Sequence, residues 1–404
     1  MSWRQPERSS AVQEVYATAE ADRRADPDRY RLDVDHVVEA AGGPDVAEGF
    51  AAGWDEGLPH YLGSADQDGR LNALGVRSVI GTAISRLRSG AALDRHLEQH
   101  PEIARRPLQP PIVITGGWRT GTTFLFRLMA TDPRLRAPLP SELGRPDRMD
   151  GLTGAARTSH IERGASAHER LHFLNPTLRT IHDSGAWLPE ECVLAMGHDL
   201  RNWGFTSTVR LDSYADWLAD TDLSEAYHRY RSTLQTLDLG DGRRWVVKAP
   251  AHLPELAHLA KVFPGAVVVH LHRDIVETIA SGASLFAVFR SMNSDEVDPA
   301  DVGRYQAEQT ERWLRRAEAF RSTPAAERLT FVDLDYRELV TNPVAAITRV
   351  YTAAGLEPPG DPAGFVEGYH DAHPRHAHGG HTYTAAEFGL DENELRARFA
   401  DLTP

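Results

Sequence analysis

The sequence predicts an α/β fold in which a parallel sheet is flanked by helices, with a helical layer ahead of the sheet and a helical insertion between its strands. Three observations predict it. Four short runs, 112–114, 245–249, 266–271 and 329–333, have the length and apolar texture of strands buried on both faces. The first run ends in Gly116 and Gly117 and restarts as a helix at Thr122, and the second and third are each followed by a helical pattern, the order of parallel strands joined through helices. Ahead of the first strand, about a hundred residues carry helical periodicity.

The segment 10–108 is rich in Ala, Arg, Asp and Glu and is broken by Gly42, Gly43 and Pro44. Its best periodic stretch sets Val76, Val79, Ile80, Ala83, Ile84 and Leu87 on one helical face. No catalytic constellation occurs in it, so 1–110 is expected to be a helical N-terminal layer packed on an α/β domain of residues 111–404. Within that domain, 143–240 turns helical again and carries Phe173, Trp187, Trp203, Phe205, Tyr214 and Trp217. Such an insertion is placed to cover a site, while its aromatics read as core, because buried aromatic area stabilises any helical layer.

Length and composition narrow the function classes. A chain of 404 residues with 41% hydrophobic content buries a full core. Its 44 Lys+Arg against 58 Asp+Glu give a net charge of -14, which repels a polyanion, so no nucleic-acid partner is expected. The one cysteine, Cys192, cannot form an internal disulfide, which fits a reducing compartment. No apolar run of the roughly 18 residues a spanning helix needs is expected, and 1–11 lacks the apolar core of a secretory signal. Cytoplasmic placement is the expectation, and the oligomeric state is left open.

The chemistry-bearing stretch is Gly116-Gly117-Trp118-Arg119-Thr120-Gly121-Thr122-Thr123. Its glycines have the spacing of a loop whose backbone N–H groups and following helix N-terminus cradle a phosphate, which makes the expected sheet P-loop-like. A nucleotide triphosphatase carries lysine where this chain carries Thr122, and a loop without that lysine is poorly built for transfer from ATP. Arg119 supplies a planar fork for a phosphate or sulfate instead. Downstream, Lys248 ends one expected strand, Arg273 follows the next, and Ser281 lies eight residues further, about two helical turns on.

Loop, strand-end lysine, and arginine followed at eight residues by serine together resemble the PAPS-dependent sulfotransferases, where PAPS is 3'-phosphoadenosine-5'-phosphosulfate. The stretch from Lys248-Ala249-Pro250 through Phe263-Pro264 to Arg273 resembles the bacterial branch and, more distantly, the tyrosylprotein sulfotransferases. The likeness covers roughly 100–395 and includes Asp335-Tyr336-Arg337 and the tail His381-x-Tyr383. Ile275 stands where many relatives have proline, a change that affects only how a helix start is preset.

The resemblance implies a transferase that moves a sulfuryl group from PAPS to a hydroxyl on a small molecule, leaving PAP and requiring no metal. It implies a 5'-phosphosulfate site at Gly117, Trp118, Arg119, Thr120, Gly121, Thr122 and Thr123, and a 3'-phosphate site at Arg273 and Ser281. Tyr336, His381 and Tyr383 complete the expected nucleotide contacts. Lys248 belongs at the bridging oxygen, with Arg119 steadying the transferred group.

For the general base, position favours Glu142, in the place of the base proposed for tyrosylprotein sulfotransferases, and unperturbed pKa favours His182 as runner-up. Glu190 and Glu191 are a third option, although adjacent acids are more often solvated or capping groups. The histidines at 370, 373, 376, 378 and 381 do not have the spacing of a closed four-ligand zinc site. Two rival readings are a kinase on the same fold, disfavoured by the missing lysine, and a non-catalytic PAP-binding protein, disfavoured by the pairing of Arg119 with Lys248. A phenol, sterol, lipid or polyketide alcohol would each suit aromatic walls.

Overall fold

Strand β1 (Ile112–Gly116) occupies the centre of a five-stranded sheet in the computed structural model, which describes residues 2–373 and 382–402. The other strands are β2 (Leu135–Arg136), β3 (Arg244–Lys248), β4 (Val267–His272) and β5 (Thr330–Asp335). They lie in the order β2-β3-β1-β4-β5, and every neighbouring pair is parallel. Ile112 pairs with Val246 on one side and Val267 on the other, and Val267 pairs in turn with Thr330.

The four expected strands are present with ends moved by one or two residues. β2 was not expected. Two residues are too short for any period to show, and they are a strand only because Leu135 and Arg136 pair with Arg244 and Trp245 at the sheet edge.

Side chains alternate across the sheet and divide the core into two layers. Ile112, Ile114, Val246, Val267 and Val269 face Leu125, Phe126 and Met129 of the helix Thr122–Met129, together with Ile347 and Val350 of the helix Pro343–Ala353. Val113, Val247 and Val268 face the opposite layer, which holds the helices ahead of β1 and those of 143–240. Covering both faces explains why these strands are apolar along their length.

Ahead of the sheet, the helix Ala73–Gln99 buries Val76, Val79, Ile80, Ala83 and Leu87, the stripe expected from periodicity. The Asn72 side chain starts this helix by accepting from the Gly75 N–H at 2.9 Å. Gly75 is needed there: a Cβ would come within 2.0 Å of the Asn293 carbonyl oxygen at the end of the helix Ile275–Asn293. Between 143 and 240 short helices alternate with turns, and Trp203, Phe205 and Tyr214 are core. Phe173 and Trp187 are about half exposed instead.

The expectation that no segment is apolar enough to span a membrane needs correcting. Ile275–Asn293 has 19 residues with a mean hydropathy of 1.3 and meets that criterion by length and composition. Glu277 and Arg290 interrupt its apolar run, and 89% of that stretch is buried inside the fold, where it packs against the helix Pro299–Arg321. Inside a protein the requirement for an apolar surface is the same as in a bilayer, which is why composition alone does not separate the two.

Candidate active site

Three adjacent parallel strands end at one place. β1 runs into the glycine-rich loop, β3 ends on Lys248, and Arg273 follows β4, with Ile114 paired to Lys248 and Gly116 to Leu271. The chain passes from β1 to β3 on one side and to β4 on the other, so the crevice opens at a switch in strand order. A cavity of about 690 Å³ lies there, bordered by the loop, by residues of the insertion and by the helix Ala73–Gln99.

The loop has an unusual backbone. Gly116 has φ +145° and a Cβ on it would lie 2.4 Å from the Leu271 oxygen; Gly121 has φ +90°. Arg119 takes φ +63°, a conformation disfavoured for any residue with a Cβ, and its guanidinium donates to the Ile181 carbonyl. Burial lowers the Arg119 pKa, partly opposed by Tyr383 and reinforced by the charge of Arg273. Thr120 donates to the Gly117 carbonyl at 2.9 Å, closing the turn, and the helix then starts at Thr122. Trp118 is anchored edge-on against Phe286, with ring centroids 4.9 Å apart.

Arg273 is held from three sides: Nε donates to Glu277 at 2.8 Å, Nη1 donates to the Arg119 carbonyl at 2.9 Å, and the guanidinium lies 4.4 Å from the Tyr336 ring centre. Asp274 caps the following helix by accepting from the Glu277 N–H, so Ile275 begins it without a proline. That helix touches the loop closely. A Cβ on Gly117 would meet Thr278 Cγ2 at 2.6 Å, and one on Gly282 would meet Trp118 Cβ at 3.2 Å. Ser281 lies between these contacts, buried, and is not among the residues lining the cavity. Tyr336, Trp118, Arg119, Gly121, Thr122 and Thr123 do line it, and His381 falls outside the described residues.

Lys248 is 3% exposed; Nζ reaches Thr123 Oγ1 at 3.3 Å and is salt-bridged to Glu191. Its neighbour Glu190 faces His182, with Oε1 3.5 Å from Nε2, while the Glu191 N–H donates to Glu190 Oε2 at 2.9 Å. Burial alone would raise the Glu190 pKa, but the hydrogen bond and charge of His182, the charge of Lys248 and the Glu191 N–H outweigh it and hold the pKa at about 2. His182, Glu190 and Glu191 all line the cavity, as do His168 and Ser184. The histidine packs edge-on against Phe289, and burial lowers the pKa of His168, whose Nδ1 is 3.2 Å from Ser184 Oγ.

Glu142 is elsewhere. Its carboxylate is 1% exposed, accepts from Arg136 at 3.2 Å and Arg157 at 2.7 Å, and caps its own short helix by accepting from the Leu139 N–H at 2.9 Å. It neither contacts Arg119 nor lines the cavity, so the expected role as base does not fit its position. Removing this carboxylate should damage folding instead. Glu142→Gln is expected to lower stability by about 3 kcal/mol, the scale for stripping one partner from a buried pair, with little change in turnover per folded molecule. Thermal unfolding and kinetics on one preparation check this.

Glu190, Glu191, His168 and Arg86 are the cavity residues the sequence reading did not favour or did not mention. The pair of acids resembled a solvated turn and has no periodic signal. Arg86 did have one: it follows Val79 by seven residues, which puts a charge on the buried stripe of its helix.

Among the described residues one trio, His270, His272 and Asp333, has ligand atoms close enough for a cation. Arg321 already donates to both Asp333 oxygens, at 2.7 and 2.6 Å, and His272 Nε2 lies 2.8 Å from Oδ1, so the carboxylate is satisfied by an ion-pair network. Of the histidine-rich tail, His370 stacks on Phe124 and His373 on Tyr369; His376, His378 and His381 lie outside the described residues.

Known proteins resemble this chain in sequence and fold. Omega-hydroxy-beta-dihydromenaquinone-9 sulfotransferase Stf3 of Mycobacterium tuberculosis is 24% identical over 266 residues, 61% of this chain and 63% of that protein, so the match spans less than two thirds of that relative's length. Sulfotransferase STF1 from Mycobacterium tuberculosis superposes with a TM-score of 0.76 at 26% identity over 92% of this chain and 99% of that one. Sulfotransferase STF9 from Mycobacterium avium gives the same TM-score at 22% identity, covering 92% and 96%, a likeness of fold. The family described as the sulfotransferase family matches residues 110–360, from the strand that feeds the phosphate-type loop to beyond Tyr336, and with more than half of its length so matched the chain belongs to that family.

Proposed function

We propose that the protein transfers a sulfuryl group from PAPS to a hydroxyl of a small-molecule acceptor, giving PAP and a sulfate ester. The observation that carries this reading is that Arg119 and Arg273 line one cavity with a histidine–carboxylate pair, while Lys248 stands just behind its wall, salt-bridged to the lining residue Glu191. The residues fit a doubly phosphorylated nucleotide: the loop leads into the N-terminus of the helix Thr122–Met129, and two arginines, Arg119 within the loop and Arg273 bonded to its backbone, line the same cavity.

Placement supports the following roles. The loop N–H groups and the N-terminus of Thr122–Met129 bind the 5'-phosphate, and Arg273, which lines the cavity, accounts for the 3'-phosphate. With its Nε2 proton directed at Glu190, His182 takes the acceptor's hydroxyl proton on Nδ1. The acceptor oxygen then forms its bond to sulfur as the bond from sulfur to the 5'-phosphate oxygen breaks, and that oxygen keeps the electron pair. Lys248 stabilises the charge that develops there.

PAP should stabilise the purified protein against heat, because it binds the native state, and ATP should do much less, since it offers no 3'-phosphate to Arg273. Thermal-shift titrations with the two nucleotides test the donor. Equal stabilisation by ATP together with γ-phosphate transfer would sink the reading in favour of a kinase.

A further inference from the structure

Arg86 is the cavity cation that the reaction leaves without a task. It sits on Ala73–Gln99 one turn after Thr82, and both residues line the wall remote from the loop in sequence. The guanidinium donates to the carbonyls of Leu194 and Val193, the latter at 3.4 Å, and lies 5.8 Å from the Phe205 ring centre. Among the described residues no carboxylate forms an ion pair with it. The titratable groups that feel its charge are Tyr61 and His198, neither of them an anion at neutral pH. Burial lowers the Arg86 pKa to about 10, which leaves it charged at neutral pH.

The other cations at the cavity or behind its wall differ. Lys248 is paired with Glu191 and Arg273 with Glu277, while Arg119 belongs to the loop. Of the residues lining the cavity, Val193, Leu194 and Phe205 meet the Arg86 guanidinium, and none of them carries a charge. A half-buried charge with two carbonyl contacts and no counter-ion is electrostatically incomplete, and a carboxylate entering the cavity beside it would complete it through a planar two-point contact.

We propose that Arg86 anchors a carboxylate on the acceptor, so that the acceptor class is a hydroxylated apolar acid. The inference rests on the proposed sulfuryl transfer for its hydroxyl end. Arg86 grips the carbonyls of Val193 and Leu194, four residues at most from Glu190, across the tight turn Cys192–Ala195. At about 2 Å per residue in such a turn, the carboxylate and the reacting hydroxyl are separated by on the order of 10 Å. The acid is thus held at one end while His182 meets the hydroxyl at the other.

Titration calorimetry of the full chain, with and without PAP, using ω-hydroxydecanoate, its methyl ester and decanediol at neutral pH tests the anchor. The acid should bind at least about tenfold more tightly than the ester or the diol, Arg86→Met should erase the difference, and Arg86→Lys should retain part of it. Equal binding of acid and ester, no binding of the acid, or a preference that survives Arg86→Met would each overturn the proposal. If Arg86→Met does not fold, the wild-type comparison of acid with ester decides alone. PAP titrated separately distinguishes the two readings: failure of PAP to bind counts against the donor, whereas PAP binding without preference for the acid counts against the anchor only.

Discussion

Replacing His182 with alanine is expected to reduce turnover with saturating PAPS by about 100- to 10,000-fold, the usual cost of losing a general base, while PAP affinity stays within about threefold. The imidazole lines the cavity and faces Glu190, while the bond from this segment to the loop runs through the Ile181 carbonyl, so loss of the ring should leave donor binding intact. Glu190→Gln should give a smaller defect, because an amide still positions the ring but no longer stabilises the imidazolium formed when the proton arrives. The double variant should be little worse than His182→Ala alone, since the carboxylate acts through the histidine. Additive losses would show that Glu190 acts independently. The pH behaviour has a definite sign. Glu190, held at about 2, stays ionised through the working range, and its contribution to stability is fully present above the ordinary value of 4.5 and is lost as pH falls toward 2. A rate profile that falls on the acid side well above that range therefore does not report the Glu190 carboxylate.

The fold was largely legible because its main strands carry their burial in their composition. Ile112, Val113 and Ile114 face alternate layers and are apolar for both, so no register had to be guessed to recognise a central strand. The edge strand β2 had no such signature: Leu135 and Arg136 become a strand through a partner 109 residues away. The cations were legible by their position at strand ends, where parallel topology forces them into one crevice. Glu142 shows where that argument stops. Its distance from Arg119 along the chain was suitable, but side-chain direction depends on the local turn, and at the third position of the helix Pro140–Gly144 the carboxylate folds back on its own N-terminus between Arg136 and Arg157. Glu190 and Glu191 are the converse case: a pair that looked solvated is enclosed because His182 folds back from the preceding turn and Lys248 arrives from a distant strand to meet it.

Lys248→Ala is expected to reduce turnover by about 100- to 1,000-fold, the range for removing one charge-stabilising donor from a transition state, with PAP binding weakened by less than tenfold. The argument rests on its partners. Nζ is salt-bridged to Glu191 and 3.3 Å from the hydroxyl of Thr123, which belongs to the first turn after the loop, so the ammonium already stands beside the expected leaving group but is shared with a carboxylate. As negative charge grows on the departing phosphate oxygen, that oxygen competes with Glu191 for the same cation, a gain made in the transition state and not in the ground state. Lys248→Arg should therefore rescue poorly, because a planar fork in a site 3% exposed cannot reproduce a compact point charge. Glu191→Gln separates holding from catalysis: with the competing carboxylate gone, kcat should change by less than about tenfold while stability falls, since a buried ammonium loses its counter-ion. Measuring kcat, KM for PAPS and unfolding midpoints for the three variants decides the matter. Normal turnover by Lys248→Ala in a folded, PAP-binding protein would move the charge-stabilising role from the lysine to Arg119.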